Sequence, residues 1–365
     1  MSDINTLFYE LIRVAIGTQE TLSRLPSEAE WEELFEMAVK QSLVGICFFG
    51  IHALGADSDE GYVQIGMSED LYFDWMGMAA QINMRNELMD NNTKAVLAHF
   101  RKEGFACTAL KGQGVASLYG SLHGFRQSGD VDVWVAGGRK KLYEHSLKMF
   151  SKLEGLTYHH IHYPLYDDPE VEAHVWPLFL SSPLRNRRLQ QFCRMNEPKE
   201  GCEDTPSLAF NRVYILLHCY QHFTRRGVGM RQLLDYYFVL LQGFNEEEKA
   251  VSMGWINALG MKRFAKAMMW MMKDVFGLDE KYLLCKPDET YGRFLLDEVM
   301  QTGNMGHADD RVDKNQLQSA GGRYLNNLIR DIRIAKICPH EALWEPLWGI
   351  YQFVWCKLTK MKYKQ

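Results

Sequence analysis

The residues of this chain best suited to chemistry are two aspartates that alternate with valines. Asp130 immediately precedes the segment 131–135, which has the character of a strand, and Asp132 lies within it. Alternate side chains of a strand share one face, so the two carboxylates project together while Val131 and Val133 point the other way. Neighbouring carboxylates repel each other, and a divalent cation between them favours both charged forms. The spacing therefore predicts a site for Mg²⁺ or Mn²⁺.

A second segment, just upstream, offers positive charge and room for an anion. Leu110 ends a predicted strand and Lys111-Gly112 begins a helix, where free backbone N–H groups and the helix dipole favour phosphate. Arg126 carries a guanidinium fork that suits phosphate oxygens. Alone, these residues would equally fit a plain turn and a surface arginine. Beside the aspartates, they predict recognition of a triphosphate.

The elements that must position these residues change in character along the chain. Apolar residues recur at helical spacing before residue 104 and after residue 182, whereas short apolar runs bounded by Gly, Asp or Pro lie between. The predicted strands are 106–110, 131–135 and 171–175, with a helix over 140–153. The other predicted helices are 31–54, 71–100, 208–222, 231–241, 262–275, 291–300, 324–337 and 341–360.

This pattern predicts an α+β protein in which a small mixed β-sheet core is flanked by helical regions on both sides. The expected division is an N-terminal helical region over 1–103, an α/β core over 104–182 and a C-terminal helical domain over 183–365. The segment 302–322, rich in Gly, Asp, Asn and Gln, is predicted to be a long surface loop.

The order of strand, glycine-containing turn, short helix, arginine and Gly-Asp-Val-Asp-Val resembles the nucleotidyltransferase fold of the polymerase β type. In particular, the chain is similar to the bacterial group described as uncharacterised nucleotidyltransferases. Members of that group carry L-K-G at a strand end, R-x-x-G-D-h-D-h on the next strand and a later h-E-h-H strand. The corresponding segments here are 110–112, 126–133 and 171–174.

This resemblance implies a reaction and a set of residues for it. A nucleoside monophosphate would move from a nucleoside triphosphate to an acceptor hydroxyl, with Mg²⁺ or Mn²⁺ as cofactor and release of pyrophosphate. Glu172 would join Asp130 and Asp132 as the third catalytic and metal-binding carboxylate. Strand periodicity agrees, and Glu170 on the same face is the alternative. The implied nucleotide-binding residues are Lys111, Gly112, Gln113, Arg126, Ser128, Gly129 and His174.

The chain departs from the broader superfamily at the end of the first strand. That strand ordinarily ends in Gly-Ser or Gly-Gly, and here Lys111-Gly112-Gln113 occupies the place. Another alignment puts Gly120-Ser121 there. We prefer the first alignment, because 106–110 has the pattern of a strand and 115–119 that of a helix.

Several polar residues near these motifs have two interpretations. We interpret His159, His160 and His162 as a solvated loop, with the rim of the pocket as the alternative. His218 and His222 are expected to form an interhelical hydrogen bond rather than to share a metal. Arg231 and Asp235, one helical turn apart, pair with each other or face the cleft. The aromatic, Lys-rich final helix is expected to pack on the core, with an interface for anionic lipid or protein as the alternative.

Composition narrows the class of protein. With 41 basic and 46 acidic residues the formal charge is −5, which gives no electrostatic footprint for duplex nucleic acid. Eight scattered cysteines without a C-x-x-C pair favour a reducing cytoplasm. No secretion signal and no apolar stretch of about 20 residues is present, so no membrane span is expected. The acceptor and the oligomeric state have no signature in the sequence.

Two other functions are compatible with the same motifs. A catalytically inactive nucleotide-binding or regulatory protein could keep the fold, because a fold does not establish turnover. A glycosyltransferase can also use D-x-D to hold a cation and the diphosphate of a sugar nucleotide. The helical character of the first 100 residues disfavours the glycosyltransferase, since such enzymes place an α/β unit before the motif.

Overall fold

The α+β prediction is confirmed by the computed structural model, in which helices surround one small mixed sheet. The structure describes residues 3–56, 61–150, 157–306, 309, 311 and 319–362.

The N-terminal region consists of helices α1 (Asp3–Ile16), α2 (Glu28–Gln41), α3 (Val44–Ile51), α4 (Gly61–Gln64) and α5 (Glu69–Lys102). Ser27 and Glu30 form a capping box that starts α2, since each side chain bonds to the backbone of the other. The single helix predicted over 31–54 is divided, because Ser42 adopts a left-handed conformation with φ of 56° and ends α2.

The sheet contains β1 (Cys107–Ala109), β2 (Val131–Val135), β3 (His160–His162) and β4 (Val171–His174), in the order β1-β2-β4-β3. Strands β2 and β4 are parallel, and the two outer strands pair antiparallel to them. The three predicted strands are confirmed. Strand β3 is an addition to the predicted set, and it pairs only with β4 at the edge of the sheet.

Both faces of the sheet are covered, which gives the alternating residues of β2 different surroundings. Val131, Val133 and Val135 pack with residues of α5 and with Leu142 of α7 (Gly138–Met149). Trp134, on the other face, joins a larger core built from the N-terminal and C-terminal helices. Asp132 shares this second face. The predicted end of α7 near 153 lies outside the described residues.

A short helix, α6 (Lys111–Val115), and a run of 3-10 turns over Ala116–Phe125 connect β1 to β2. The C-terminal region then follows as helices: α8 (Pro183–Met195), α9 (Leu208–Arg225), α10 (Met230–Leu241), α11 (Glu246–Ala258), α12 (Lys262–Trp270), α13 (Glu289–Thr302), α14 (Ala320–Ile334) and α15 (Pro339–Lys362). Helices α8 and α11 are additions to the predicted set. A π-helical turn, Met271–Val275, continues α12.

The final helix packs on the protein only in part. Trp348 is buried, as expected, whereas Leu343, Leu347 and Ile350 are exposed. In the part of the chain that the structure describes, every helix is too short or too polar to span a bilayer. The cysteines whose side chains are described are free thiols. The domain divisions at 103 and 182 stay predictions, since one core joins residues from both helical regions.

Helix α3 approaches the 3-10 segment so closely that only glycine fits at their contact. A Cβ atom on Gly45 would lie 2.4 Å from the carbonyl oxygen of Phe125, which immediately precedes Arg126. We expect Gly45→Ala to lower the free energy of unfolding by about 1 to 3 kcal/mol, because backbone must move to relieve the overlap. Urea denaturation measures this change.

Gly77 provides the matched control, because it lies within α5 with open space where its Cβ would be. Gly77→Ala is expected to be neutral or to stabilise by up to about 1 kcal/mol, as helix propensity predicts. Equal destabilisation by the two substitutions would contradict the close contact at Gly45.

Candidate active site

Two carboxylates far apart in the sequence meet because β2 and β4 are parallel neighbours. The register pairs Asp132 directly with Glu172 and Trp134 with His174. Residues paired across adjacent strands project from the same face, so the two carboxylates stand side by side. Asp132 is almost completely buried, and the Glu172 side chain is 14% exposed. Both therefore face a largely dehydrated site.

Lys111 places an ammonium group against these carboxylates. Its Nζ lies 2.7 Å from Oδ1 of Asp132 and 4.0 Å from Oε2 of Glu172. The backbone of Lys111 has a positive φ of 48°, so the chain turns sharply at the end of β1 and directs this side chain inwards. Burial lowers the pKa of Lys111, but the two carboxylates raise it more, so its net pKa is above the usual value.

His174 completes the contact between the carboxylates. Its Nε2 lies 2.6 Å from Oδ1 of Asp132 and 3.1 Å from Oε2 of Glu172, and the ring is fully buried. Burial raises the pKa values of both carboxyl groups, but the Lys111 charge and the hydrogen bond from His174 outweigh it and lower both. The site therefore favours two ionised carboxylates next to each other.

Asp130 lies beside this pair rather than within it. It immediately precedes β2, is exposed, and lines the same pocket as Asp132 and Glu172. Among the described side chains, three sets of possible metal ligands lie within 4.8 Å of one another, and Asp130 belongs to none of them. These sets are Asp132 with Glu172 and His174, Glu172 with His160 and His162, and His159 with His160 and His174.

The pocket in front of the carboxylates has a volume of about 610 Å³, which is within the range of ligand pockets. Four arginines of the C-terminal helical region also line it: Arg225 ends α9, Arg226 follows it, Arg231 is in α10 and Arg330 is in α14. Arg225 stacks on Phe179 at 3.9 Å and contacts Glu345 of α15 at 3.2 Å. The pocket thus joins the sheet to the last two helices.

A family model described as "Uncharacterised nucleotidyltransferase" matches residues 27–277, more than half of the chain. The chain belongs to this family. The match includes all four strands and ends before α13, so Arg330 and Glu345 of the pocket lie outside it. No curated protein and no solved structure matches the chain. Membership supports a role in nucleotidyl transfer in general.

Arg126, which the sequence predicts to bind phosphate, is paired with a carboxylate of the protein. Arg126 is buried, and its Nε and Nη2 donate to the two oxygens of Asp235 at 2.7 and 2.8 Å. The hydroxyl of Tyr119 donates to the same aspartate at 2.8 Å. Asp235 therefore pairs with Arg126 and not with Arg231, which instead lines the pocket and donates to the carbonyl oxygen of Gln127.

Two other predicted nucleotide-binding residues, Ser128 and Gln113, belong to the same hydrogen-bond network. The hydroxyl of Ser128 donates to Asn86 at 2.7 Å and accepts from Arg126 at 3.3 Å. Gln113 donates to Asp90 at 2.8 Å. Gly112, Gln113, Arg126 and Gly129 line the pocket, so their contacts with phosphate stay predictions. Gly120 and Ser121, the alternative strand end, are exposed and are not among its lining residues.

The solvated loop predicted at the three histidines is wrong. His160 and His162 form β3 beside β4, and all three histidines line the pocket. Burial, His174 and Lys111 lower the pKa of His160 to about 2, so this imidazole is neutral. His218 and His222 contact each other along α9 at 2.8 Å, not across helices. Periodicity could have identified β3, because His160 and His162 flank an apolar residue.

Proposed function

We propose that this protein transfers a nucleoside monophosphate from a nucleoside triphosphate to an acceptor hydroxyl, with Mg²⁺ or Mn²⁺ as cofactor. The observation that carries the proposal is the pairing of Asp132 with Glu172 on adjacent parallel strands, with Asp130 at the rim of the same pocket. We place the reaction in the cytoplasm, because the described cysteines are free thiols.

The donor set of the pocket fits hard divalent cations. Asp130, Asp132 and Glu172 would hold the ions, since carboxylate oxygens are the preferred ligands of Mg²⁺. Lys111 and His174 both contact Oδ1 of Asp132, so this oxygen already lies against the positive charge of Lys111. When bound, the ions would neutralise phosphate charge and lower the pKa of the acceptor hydroxyl.

The residues of the chain supply the remaining chemistry. The acceptor oxygen forms a bond to the α-phosphorus, the bond from that phosphorus to the bridging oxygen breaks, and pyrophosphate leaves. Glu172 would accept the hydroxyl proton, since a general base must be an ionised group within hydrogen-bond reach. Lys111 and Arg231 would offset charge on the triphosphate, and His174 would orient Glu172.

Incubation of cell extract with α-labelled nucleoside triphosphates tests the proposal even though the acceptor is unidentified. Wild-type protein is expected to label at least one extract component, whereas Asp130→Ala/Asp132→Ala labels none above background, because the carboxylates for the ions are gone. Chelation of divalent ions should abolish labelling by the wild type. Equal labelling by both proteins would contradict the mechanism.

A thermal-shift experiment separates the two other functions. We expect nucleoside triphosphates to raise the melting temperature more with Mg²⁺ or Mn²⁺ than without, because ligands that bind the folded state stabilise it. Stabilisation by sugar nucleotides alone would favour a glycosyltransferase. A metal-dependent shift without labelling of any extract component would favour an inactive nucleotide-binding protein.

A further inference from the structure

Strand β3 brings two imidazoles to the carboxylate on its neighbour. The antiparallel register pairs His162 with Glu172 and His160 with His174. Because side chains alternate along each strand, all four residues project from the face that also carries Asp132. The parallel carboxylate pair therefore continues, on the side away from β1, into a histidine-rich edge of the sheet.

The ligand atoms on this edge are close together. His160, His162 and Glu172 each offer one nitrogen or oxygen within 4.8 Å of the others, and Nδ1 of His160 lies 3.2 Å from Oε2 of Glu172. His160 is 8% exposed, and among the described residues its buried Nδ1 forms no hydrogen bond, since its approach to Glu172 lacks hydrogen-bond geometry. A buried nitrogen without a partner costs stability, and coordination of a cation would remove that cost.

The surroundings of His162 are those of a metal ligand. Its Nδ1 donates to the carboxylate of Glu170, which leaves the lone pair of Nε2 available to a metal ion. Histidines that bind metals usually hydrogen-bond a carboxylate or carbonyl through the other ring nitrogen, which fixes the orientation of the ring. Glu170, the sequence-based alternative to Glu172, would then not contact the ion itself but would orient His162, which does.

We propose that His160, His162 and Glu172 bind a divalent transition-metal ion of the zinc class, next to a harder ion at Asp130 and Asp132. Imidazole favours Zn²⁺ and Co²⁺, whereas sites of oxygen ligands alone suit Mg²⁺. This inference deepens the proposed function, because Glu172 would belong to both ion positions. The two positions would then differ in chemistry, one with nitrogen ligands and one without.

Calorimetric titration of metal-free protein with Zn²⁺, in buffer that contains millimolar Mg²⁺, tests the inference. Wild-type protein is expected to bind Zn²⁺ despite the excess of Mg²⁺. His160→Gln/His162→Gln should bind it at least about tenfold more weakly, because two nitrogen ligands are lost. Co²⁺ provides a second readout: its visible absorption should show nitrogen ligation in the wild type and lose it in the variant.

His99→Gln/His145→Gln is the matched control, since both histidines contact the hydroxyl of Tyr163 and neither lines the pocket. This control should bind Zn²⁺ as the wild type does. His162→Gln alone, at the less buried of the two positions, keeps the test valid if the double variant melts at a lower temperature without metal. Zn²⁺ binding that is unchanged in both pocket variants would overturn the inference.

The outcome is separable from that of the proposed function. Asp130→Asn should retain Zn²⁺ binding and lose labelling of extract, because Asp130 is outside the histidine set. If Zn²⁺ binds through the histidines but the wild type labels nothing, the metal site stands and the transfer reaction fails. If labelling depends on Asp130 and Asp132 but the histidine variants bind Zn²⁺ normally, the metal site fails alone.

Discussion

Replacement of Glu172 by glutamine is expected to lower nucleotidyl transfer by about two to four orders of magnitude, the usual contribution of a general base. The substitution keeps the size of the side chain and removes its charge. Glu172 stands beside Asp132 in the strand register and receives hydrogen bonding from His174. The rate of labelling of the extract component identified with wild-type protein measures the effect.

Glu170→Gln is the control for this prediction, because Glu170 is two residues earlier and near the same pocket. Its carboxylate is exposed and bonds to His162 rather than to Asp132. We expect it to reduce transfer by about tenfold or less, the lower range for loss of an outer-sphere partner. A larger loss with Glu170→Gln than with Glu172→Gln would assign the third carboxylate to Glu170.

Removal of the charge on Asp235 should destabilise the protein by about 3 to 5 kcal/mol, because it leaves the Arg126 guanidinium buried without a counter-ion. Both side chains are almost inaccessible, at 3% and 2% exposure, and the contact is bidentate. Asp235 raises the pKa of Arg126 against the opposing effect of burial, so the arginine stays charged. Urea denaturation of Asp235→Asn gives the change in the free energy of unfolding.

Two further variants show whether the lost stability comes from the buried, unpaired charge of Arg126. Arg126→Met/Asp235→Leu removes both charges and should recover much of the stability, since apolar replacement of a buried pair is often near neutral. Glu289→Gln breaks an exposed pair with Arg293 and should cost less than about 1 kcal/mol. If Asp235→Asn lowered the free energy of unfolding no more than Glu289→Gln does, the pair of Arg126 with Asp235 would not hold the 3-10 segment to α10.

The sequence predicts phosphate binding by Arg126 but gives no sign of its buried pair with Asp235. A guanidinium four residues before an aspartate has the same appearance whether it meets an anionic ligand or an anionic side chain. The partner, Asp235, lies 109 residues later, on a helix whose position relative to β2 depends on the whole C-terminal region. Only the packing of α10 on the core brings them together.

The sequence by itself determined the local chemistry of the site. Short stretches of sequence predict three features: the alternation around Asp130 and Asp132, the Lys111-Gly112 turn and the later strand with Glu172. The three predicted strands are where they were expected. These features depend on residues two to five positions apart, and such short-range patterns follow from strand and helix geometry. The family match agrees with this interpretation.

The tertiary structure decided how the predicted residues meet and which other residues join them in the pocket. The register of β2 with β4 placed Glu172 against Asp132, the antiparallel edge strand added His160, and the packing of α9 and α14 supplied Arg225 and Arg330. Strand pairing and helix packing depend on the burial of apolar surface over the whole chain. The residues next to a polar residue in the sequence do not identify the distant partner that this burial places against it.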